Sequence, residues 1–210
     1  MQPNAFIPEV PPPLAEPSIL TRWLFEDPTW LLVALALLTL LSVTHAWRRD
    51  RRGLALGFAA IGGMLAAALW FTASLVVTSR EQVVDRTWAL IRTTAGGDAA
   101  ALDGLLATKA RLENPRSDLQ MNRQLILDRI RATTGGSLRV REWAVIRMQA
   151  IADESGRAQS QFYLRIIPEA TNAPMLSWWR VTWERPALAS SDWKVTLIEP
   201  LSGTPAEVLR

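Results

Sequence analysis

Residues 30–77 read WLLVALALLTLLSVTHAW-RRDRR-G-LALGFAAIGGMLAAALWFTASLVV. Two apolar segments, 30–47 and 54–77, are separated by the charged cluster Arg48, Arg49, Asp50, Arg51 and Arg52. At about 1.5 Å per helical residue the segments are about 27 Å and about 36 Å long, close to the ~30 Å hydrocarbon core of a bilayer. The sequence therefore predicts a transmembrane helical hairpin with a short loop at residues 48–52.

The arginine cluster also predicts how the hairpin is oriented. Lys and Arg residues near the ends of spans are retained on the cytoplasmic side. The loop holds four arginines, whereas the tail before the first segment has one arginine beside four acidic residues. We therefore expect a multi-pass protein of the inner (cytoplasmic) membrane. Its loop would be cytoplasmic, and its N-terminus and C-terminal domain would be extracytoplasmic.

Small residues recur at intervals of four along the second apolar segment, at Ala55, Ala59, Gly63 and Ala67. Residues four apart lie on one side of a helix, and small side chains let another backbone approach closely. We expect this stripe to pack against the first segment. A homo-oligomer or another subunit is the alternative occupant.

Composition excludes several kinds of site. The chain has no cysteine, which excludes disulfides and thiol chemistry, and one histidine, which argues against a transition-metal cluster. That histidine, His45, could ligate a haem or pigment axially, but a lone histidine at a membrane interface is more often simply hydrated, so no cofactor is expected. The net charge of +3 is spread along the chain, which does not indicate a nucleic-acid partner.

Proline, glycine and helix-capping residues divide the rest of the chain into segments. Residues 1–28 form a proline-rich tail, residues 78–201 form one domain, and residues 202–210 form a C-terminal tail. In the domain, a helix begins at Ser79 and ends at Gly96-Gly97, and Asp98 caps a second helix. A third helix is predicted from about Ser117 to Ala132.

Beyond Gly135-Gly136 the apolar period changes from helical to alternating, which predicts strands. Four strands are expected, at about 138–148, 158–166, 175–185 and 193–199. Because short turns join them, they form an antiparallel meander, and the domain is α+β.

This order of elements resembles a known superfamily. The phrase Gly96-Gly97-Asp98, followed by Leu102, Leu105 and Leu106, and the closing Trp193-Lys194-Val195 resemble the nuclear-transport-factor-2-like (cystatin-like) superfamily. The layout also looks like uncharacterised bacterial membrane proteins with a two-span anchor. The resemblance implies a cone of helices against a curved antiparallel sheet, with an apolar pocket to which Trp88 and Phe162 would contribute. The fold serves enzymes, ligand binders and assembly modules alike, so it does not determine function.

The residues themselves favour a function in binding. Acid–base catalysis needs two converging groups with separated pKa values, and no such pair is marked, so we do not expect an enzyme. Tryptophan and arginine are enriched in interface hot spots. Ordinary core packing is the alternative interpretation, but the predicted strands could form a partner-binding face from Trp179, Trp183, Arg141, Arg147, Arg165 and Arg180.

These observations predict a membrane-anchored, non-enzymatic assembly or accessory subunit of an envelope membrane protein complex. Its partners would be the membrane and other membrane or envelope proteins, with a homo-oligomer possible. The alternative is a module that binds a lipid or a small apolar ligand at the membrane surface.

Overall fold

A computed structural model describes residues 10–14, 29–75, 77–115, 119–134, 140–153, 155–169, 173–186 and 192–202. The chain divides into two compact units. One unit is Glu16–Thr78, and the other combines Met1–Ala15 with Ser79–Arg210. Most of the predicted tails, residues 1–28 and 202–210, lies outside the described residues.

The first unit contains two helices, α1 (Thr29–Arg48) and α2 (Arg52–Leu75). Both are long and apolar enough to cross a membrane, and few of their residues are buried. Between them the chain reverses at Asp50, whose positive φ of 58° places it in the left-handed region that can end a helix. The two predicted segments therefore form two helices, and the arginines lie at the facing helix ends and in the turn.

The contact between α1 and α2 differs from the predicted stripe. Ala55 is buried, but Ala59, Gly63 and Ala67 are exposed. Instead Gly62, which is buried, lies against Thr39 of α1. A step of four residues rotates about 40° beyond one full turn, so a four-residue stripe drifts away from a neighbouring helix. A seven-residue step, as from Ala55 to Gly62, stays on the contact line.

Replacing Gly62 by alanine should weaken this helix pair. A Cβ at Gly62 would lie 3.0 Å from the Thr39 Cβ and closer to both of its branches. The Thr39 hydroxyl donates to the Leu35 carbonyl oxygen at 2.8 Å, which restrains its rotamer. Overpacking of this kind costs about 1–3 kcal/mol. We expect Gly62→Ala to lower the SDS mole fraction at which helix content, measured by circular dichroism, is lost.

Gly63→Ala is the matched control, because nothing lies within 4 Å of a Cβ at that position. Both substitutions raise helix propensity equally. Equal midpoints for Gly62→Ala and Gly63→Ala would contradict the packing described above.

The second unit begins with the two predicted helices. Helix α3 spans Ser79–Gly96 and helix α4 spans Ala99–Leu105. Gly97 has φ 68°, the left-handed conformation that ends a helix, and the Asp98 carboxylate accepts from the Ala101 N–H at 2.9 Å. The predicted boundary between the two helices is confirmed.

The region after α4 was predicted incorrectly. It contains strand β1 (Leu106–Glu113) and the short strand β2 (Gln120–Asn122), and helix α5 begins only at Arg123 and ends at Thr134. The predicted start at Ser117 lies outside the described residues. The backbone changes from helical to extended at Leu106. Gly104 in the last turn of α4 is a weak signal for the end of the helix, but it does not predict the strand that follows.

The four predicted strands are present as β3 (Val140–Ala152), β4 (Arg157–Pro168), β5 (Met175–Glu184) and β6 (Lys194–Ser202). They pair antiparallel in sequence order. However, β1 pairs in parallel with β6, and the described sheet has the order β2-β1-β6-β5-β4-β3. The curved sheet is therefore mixed, not purely antiparallel as predicted.

The turn between β3 and β4 contains an aspartate with a lowered pKa. Burial would raise the pKa of Asp153, but hydrogen bonds from the Ser155 hydroxyl at 2.7 Å and the Arg157 N–H at 2.9 Å outweigh it. The pKa therefore lies below its usual value. A depressed folded-state pKa stabilises the turn above the unfolded pKa, and this contribution is lost as the pH falls through the folded value.

The sheet has two different faces, which alternate along β4. The inner face carries Ala158, Ser160, Phe162 and Leu164, which are all buried. The three apolar side chains belong to one hydrophobic core with side chains of α3. The outer face carries Gln159, Gln161, Tyr163 and Arg165 and lies on the opposite side of the sheet.

The closing Trp193-Lys194-Val195 motif joins β6 to the helices. The Trp193 indole is fully buried, and its Nε1–H donates to Gln82 Oε1 of α3 at 3.1 Å. The guanidinium of Arg185 lies 4.6 Å from the centre of the same ring. The Lys194 ammonium donates to the Gly104 carbonyl oxygen of α4 at 2.6 Å. These contacts give the motif a structural role.

Candidate functional site

Three polar side chains meet at the centre of the inner face. The Trp183 Nε1–H donates to Ser160 Oγ at 2.9 Å, and Ser160 Oγ lies 2.9 Å from Thr87 Oγ1. The Thr87 hydroxyl is 2.7 Å from the Val83 carbonyl oxygen. Trp183, Ser160 and Thr87 are all fully buried.

One arrangement of protons satisfies this set, which we call the inner polar chain. Thr87 donates to the Val83 carbonyl, Ser160 donates to Thr87, and Trp183 donates to Ser160. Every donor then has an acceptor, as buried polar groups require. The inner polar chain therefore uses its hydrogen-bonding capacity internally and ties β5, β4 and α3 together.

The interior is also electrically neutral over the part of the chain that the structure describes. The buried polar side chains of the inner face include Thr87, Ser160 and Ser177, none of which is an acid, a base or a tyrosine. The acids on helices α4 and α5 point to ion pairs instead: Asp103 pairs with Arg123, and Asp128 pairs with Arg131. The inner face is thus mostly apolar, with uncharged hydroxyl and indole groups at its centre.

The two predicted pocket residues occupy different environments. Phe162 is buried in the core, where it lies opposite Met148 and Trp179 in the sheet register. Trp88 is half-buried and tilts against Trp143, with 6.3 Å between ring centres. Phe162 therefore acts as a core side chain, while the Trp88–Trp143 pair lies nearer the surface of the domain.

Two serine substitutions compare the loss of a hydrogen-bond acceptor at a buried indole N–H with the same loss at a half-buried one. Ser160→Ala leaves the fully buried Trp183 N–H without an acceptor, which costs about 1–3 kcal/mol. In Ser177→Ala the Trp179 N–H loses its 2.8 Å acceptor, but Trp179 is only half-buried and water can replace the hydroxyl. We expect a clearly larger drop in melting temperature for Ser160→Ala than for Ser177→Ala, measured on the full chain in detergent. Equal drops would contradict this account.

The outer face groups arginines with aromatic rings. In the sheet register Tyr163 lies between Arg147 of β3 and Trp178 of β5, and Gln161 lies beside Arg180. The Tyr163 and Trp178 rings stack with 4.8 Å between their centres and an angle of 18° between their planes.

The remaining two predicted arginines lie at the β3 side of this face. Arg165 forms an ion pair with Glu142, and Arg141 lies in an irregular step of the β3–β4 pairing. Four predicted arginines thus lie on or beside the outer face, and Arg147 is exposed.

The two predicted tryptophans do not lie on this face. Trp183 is fully buried in the inner core, and Trp179 packs against that core. Strand alternation gives the reason, because adjacent residues point to opposite faces and Trp179 cannot share a face with Arg180. The aromatic residue beside the arginines is Trp178, which sequence reasoning missed although its even number matches that of Arg180.

Two polar atoms on the outer face lack partners. Gln161 Oε1 and Arg180 Nε are both buried and make no hydrogen bond. Gln161 is 2% exposed, and Trp178 is 5% exposed. A face that pairs aromatic surface with free donors and acceptors has the composition of a recognition surface.

Metal chemistry finds no support within the described ranges, where no three His, Cys, Asp or Glu side chains come together. His45 lies exposed in the last turn of α1.

Comparison with known proteins identifies the fold. No protein-family model matches the sequence, and no curated protein matches it. Among solved structures, an NTF2-like protein of unknown function from Pseudomonas putida aligns with a TM-score of 0.50 at 10% identity. The alignment covers 62% of this chain and 91% of the other.

Two further structures belong to the same fold. An NTF2-like protein from Cytophaga hutchinsonii aligns with a TM-score of 0.48 at 12% identity, over 57% of this chain and 94% of that one. A member of the NTF2-like family from Streptomyces avermitilis, provisionally described as a dehydratase, aligns with a TM-score of 0.49 at 14% identity. This alignment covers 60% of this chain and 96% of the other. Identities this low show shared architecture alone. The domain that follows the two apolar helices has the nuclear-transport-factor-2-like fold.

Proposed function

We propose that this protein is a membrane-anchored, non-enzymatic accessory subunit of an envelope membrane protein complex. Helices α1 and α2 span the inner membrane, with the arginine turn in the cytoplasm and the NTF2-like domain on the extracytoplasmic side. The domain binds a protein partner through the outer face of its sheet. The observation that carries the proposal is the grouping of Arg147, Tyr163, Trp178 and Arg180 on that face.

The inner face supports the non-enzymatic part of the proposal. NTF2-like enzymes need polar groups that reach a substrate, whereas the described interior is neutral and its inner polar chain is closed on itself. The same interior gives weaker support to the alternative of a lipid- or apolar-ligand-binding module. Phe162, Val181 and Trp183 are buried members of the hydrophobic core on this face.

If the outer face binds a partner, reversing a charge on it should weaken that binding. Arg147 is exposed and lies opposite Tyr163, so Arg147→Glu changes the charge of the face without disturbing the core. We expect partner recovery to fall at least tenfold when the tagged full chain is crosslinked in intact membranes, purified and analysed by mass spectrometry.

Arg131→Glu is the matched control, since it makes the same charge change on α5, at an exposed ion pair of little energetic weight. Its partner recovery should stay within twofold of the unaltered chain. Equal recovery from both variants would overturn the outer face as the binding surface.

The proposed orientation predicts the protease sensitivity of sealed spheroplasts. Trypsin added outside should cleave the domain beyond residue 79, because it carries many arginines and lies on the outer side. The turn arginines at 48–52 should become accessible only after permeabilisation. Protection of the domain until permeabilisation would reverse the orientation.

A further inference from the structure

The outer face is more deeply buried than an open sheet surface should be. Side chains stand roughly perpendicular to a sheet, so strand neighbours cover their flanks and leave their tips in solvent. Trp178 is nevertheless 5% exposed and Gln161 2% exposed, although the helices pack on the other side of the sheet. A covering segment of chain explains this burial.

Residues 10–14 have the properties of such a segment. They belong to the same compact unit as the domain and form neither helix nor strand. Pro11 and Leu14 are half-buried, whereas Val10, Pro12 and Pro13 are exposed. A spacing of three residues is one turn of polyproline II helix, so one edge of the segment faces a surface and the others face solvent.

The chemistry of the outer face suits a polyproline segment. Such segments dock on grooves lined by aromatic rings, and their carbonyl groups make no internal hydrogen bonds. Stacked Tyr163 and Trp178 provide the aromatic surface, and the unpartnered Arg180 Nε–H is a donor for a peptide carbonyl. Charge is complementary too, because Glu9 and Glu16 flank the segment and arginines flank the rings.

Chain connectivity permits the contact in one molecule. An even number of spans returns the chain to the side from which it entered, so the tail and the domain share a compartment in either orientation. This step rests on the membrane hairpin of the proposed function. Fourteen residues separate Leu14 from Thr29, enough to reach about 46 Å when extended.

The geometry points to an intramolecular strap. The segment Pro11-Pro12-Pro13-Leu14 docks on the outer face of its own domain, with Pro11 and Leu14 towards Tyr163 and Trp178. Because the strap covers the surface assigned to the partner, a partner binds there only by displacing it. The outer face is thus a regulated binding site whose resting occupant is the N-terminal tail.

Photocrosslinking of the full chain in membranes tests the strap. Leu14→p-benzoylphenylalanine places a photoreactive group on the half-buried edge, and Pro12→p-benzoylphenylalanine places it on the exposed edge. After irradiation and trypsin digestion, we expect the position-14 group to attach to peptides 158–165 or 166–180, at outer-face residues and within monomers. The yield should exceed that of the position-12 control at least fivefold.

Three results would overturn the strap: equal yields from both positions, attachment to other peptides, or attachment only in crosslinked dimers. The last result would assign the segment to a second copy of the chain. The experiment needs no partner, so its outcome is independent of partner capture. A position-14 adduct without a captured partner would support the strap and contradict the accessory-subunit function. A captured partner without the adduct would support the accessory-subunit function and contradict the strap.

Discussion

The buried indole N–H of Trp183 is the constraint on which the domain depends. A donor with no access to water must find an acceptor inside the protein, and Ser160 of the neighbouring strand supplies it at 2.9 Å. Ser160 in turn meets Thr87, which places α3 against β4 and β5 at one rotational setting.

The two faces of the sheet also differ in composition. The inner polar chain and the hydrophobic core occupy the side of the sheet that faces the helices. The outer face has the opposite character, with stacked rings, exposed charge on Arg147 and unpartnered atoms on Gln161 and Arg180. Aromatic rings and arginines therefore lie together on the side of the sheet that faces away from the helices.

Short sequence patterns correctly predicted the elements whose conformation depends on neighbouring residues in the chain. Gly97 and Asp98 place the α3–α4 boundary because a left-handed residue ends one helix and a carboxylate caps the next. The alternation of apolar and polar residues predicted the four long strands, because successive side chains of a strand point to opposite faces. Strand β1 was missed because its conformation depends on pairing with β6, about 85 residues further along the chain, which leaves no mark in residues 106–113.

The sequence by itself determined the two apolar helices, the helix caps, the strand period and the composition of the candidate site, since each follows from neighbours within a few residues. Tertiary structure decided which of those residues meet. It placed Gly62, not Gly63, at the helix contact, and Trp178, not Trp179, beside the arginines. Both choices depend on the rotation of a helix or the register of a strand against a distant partner. A change of one residue in strand register moves a side chain to the opposite face of the sheet, and only packing against the partner strand or helix sets the register or rotation.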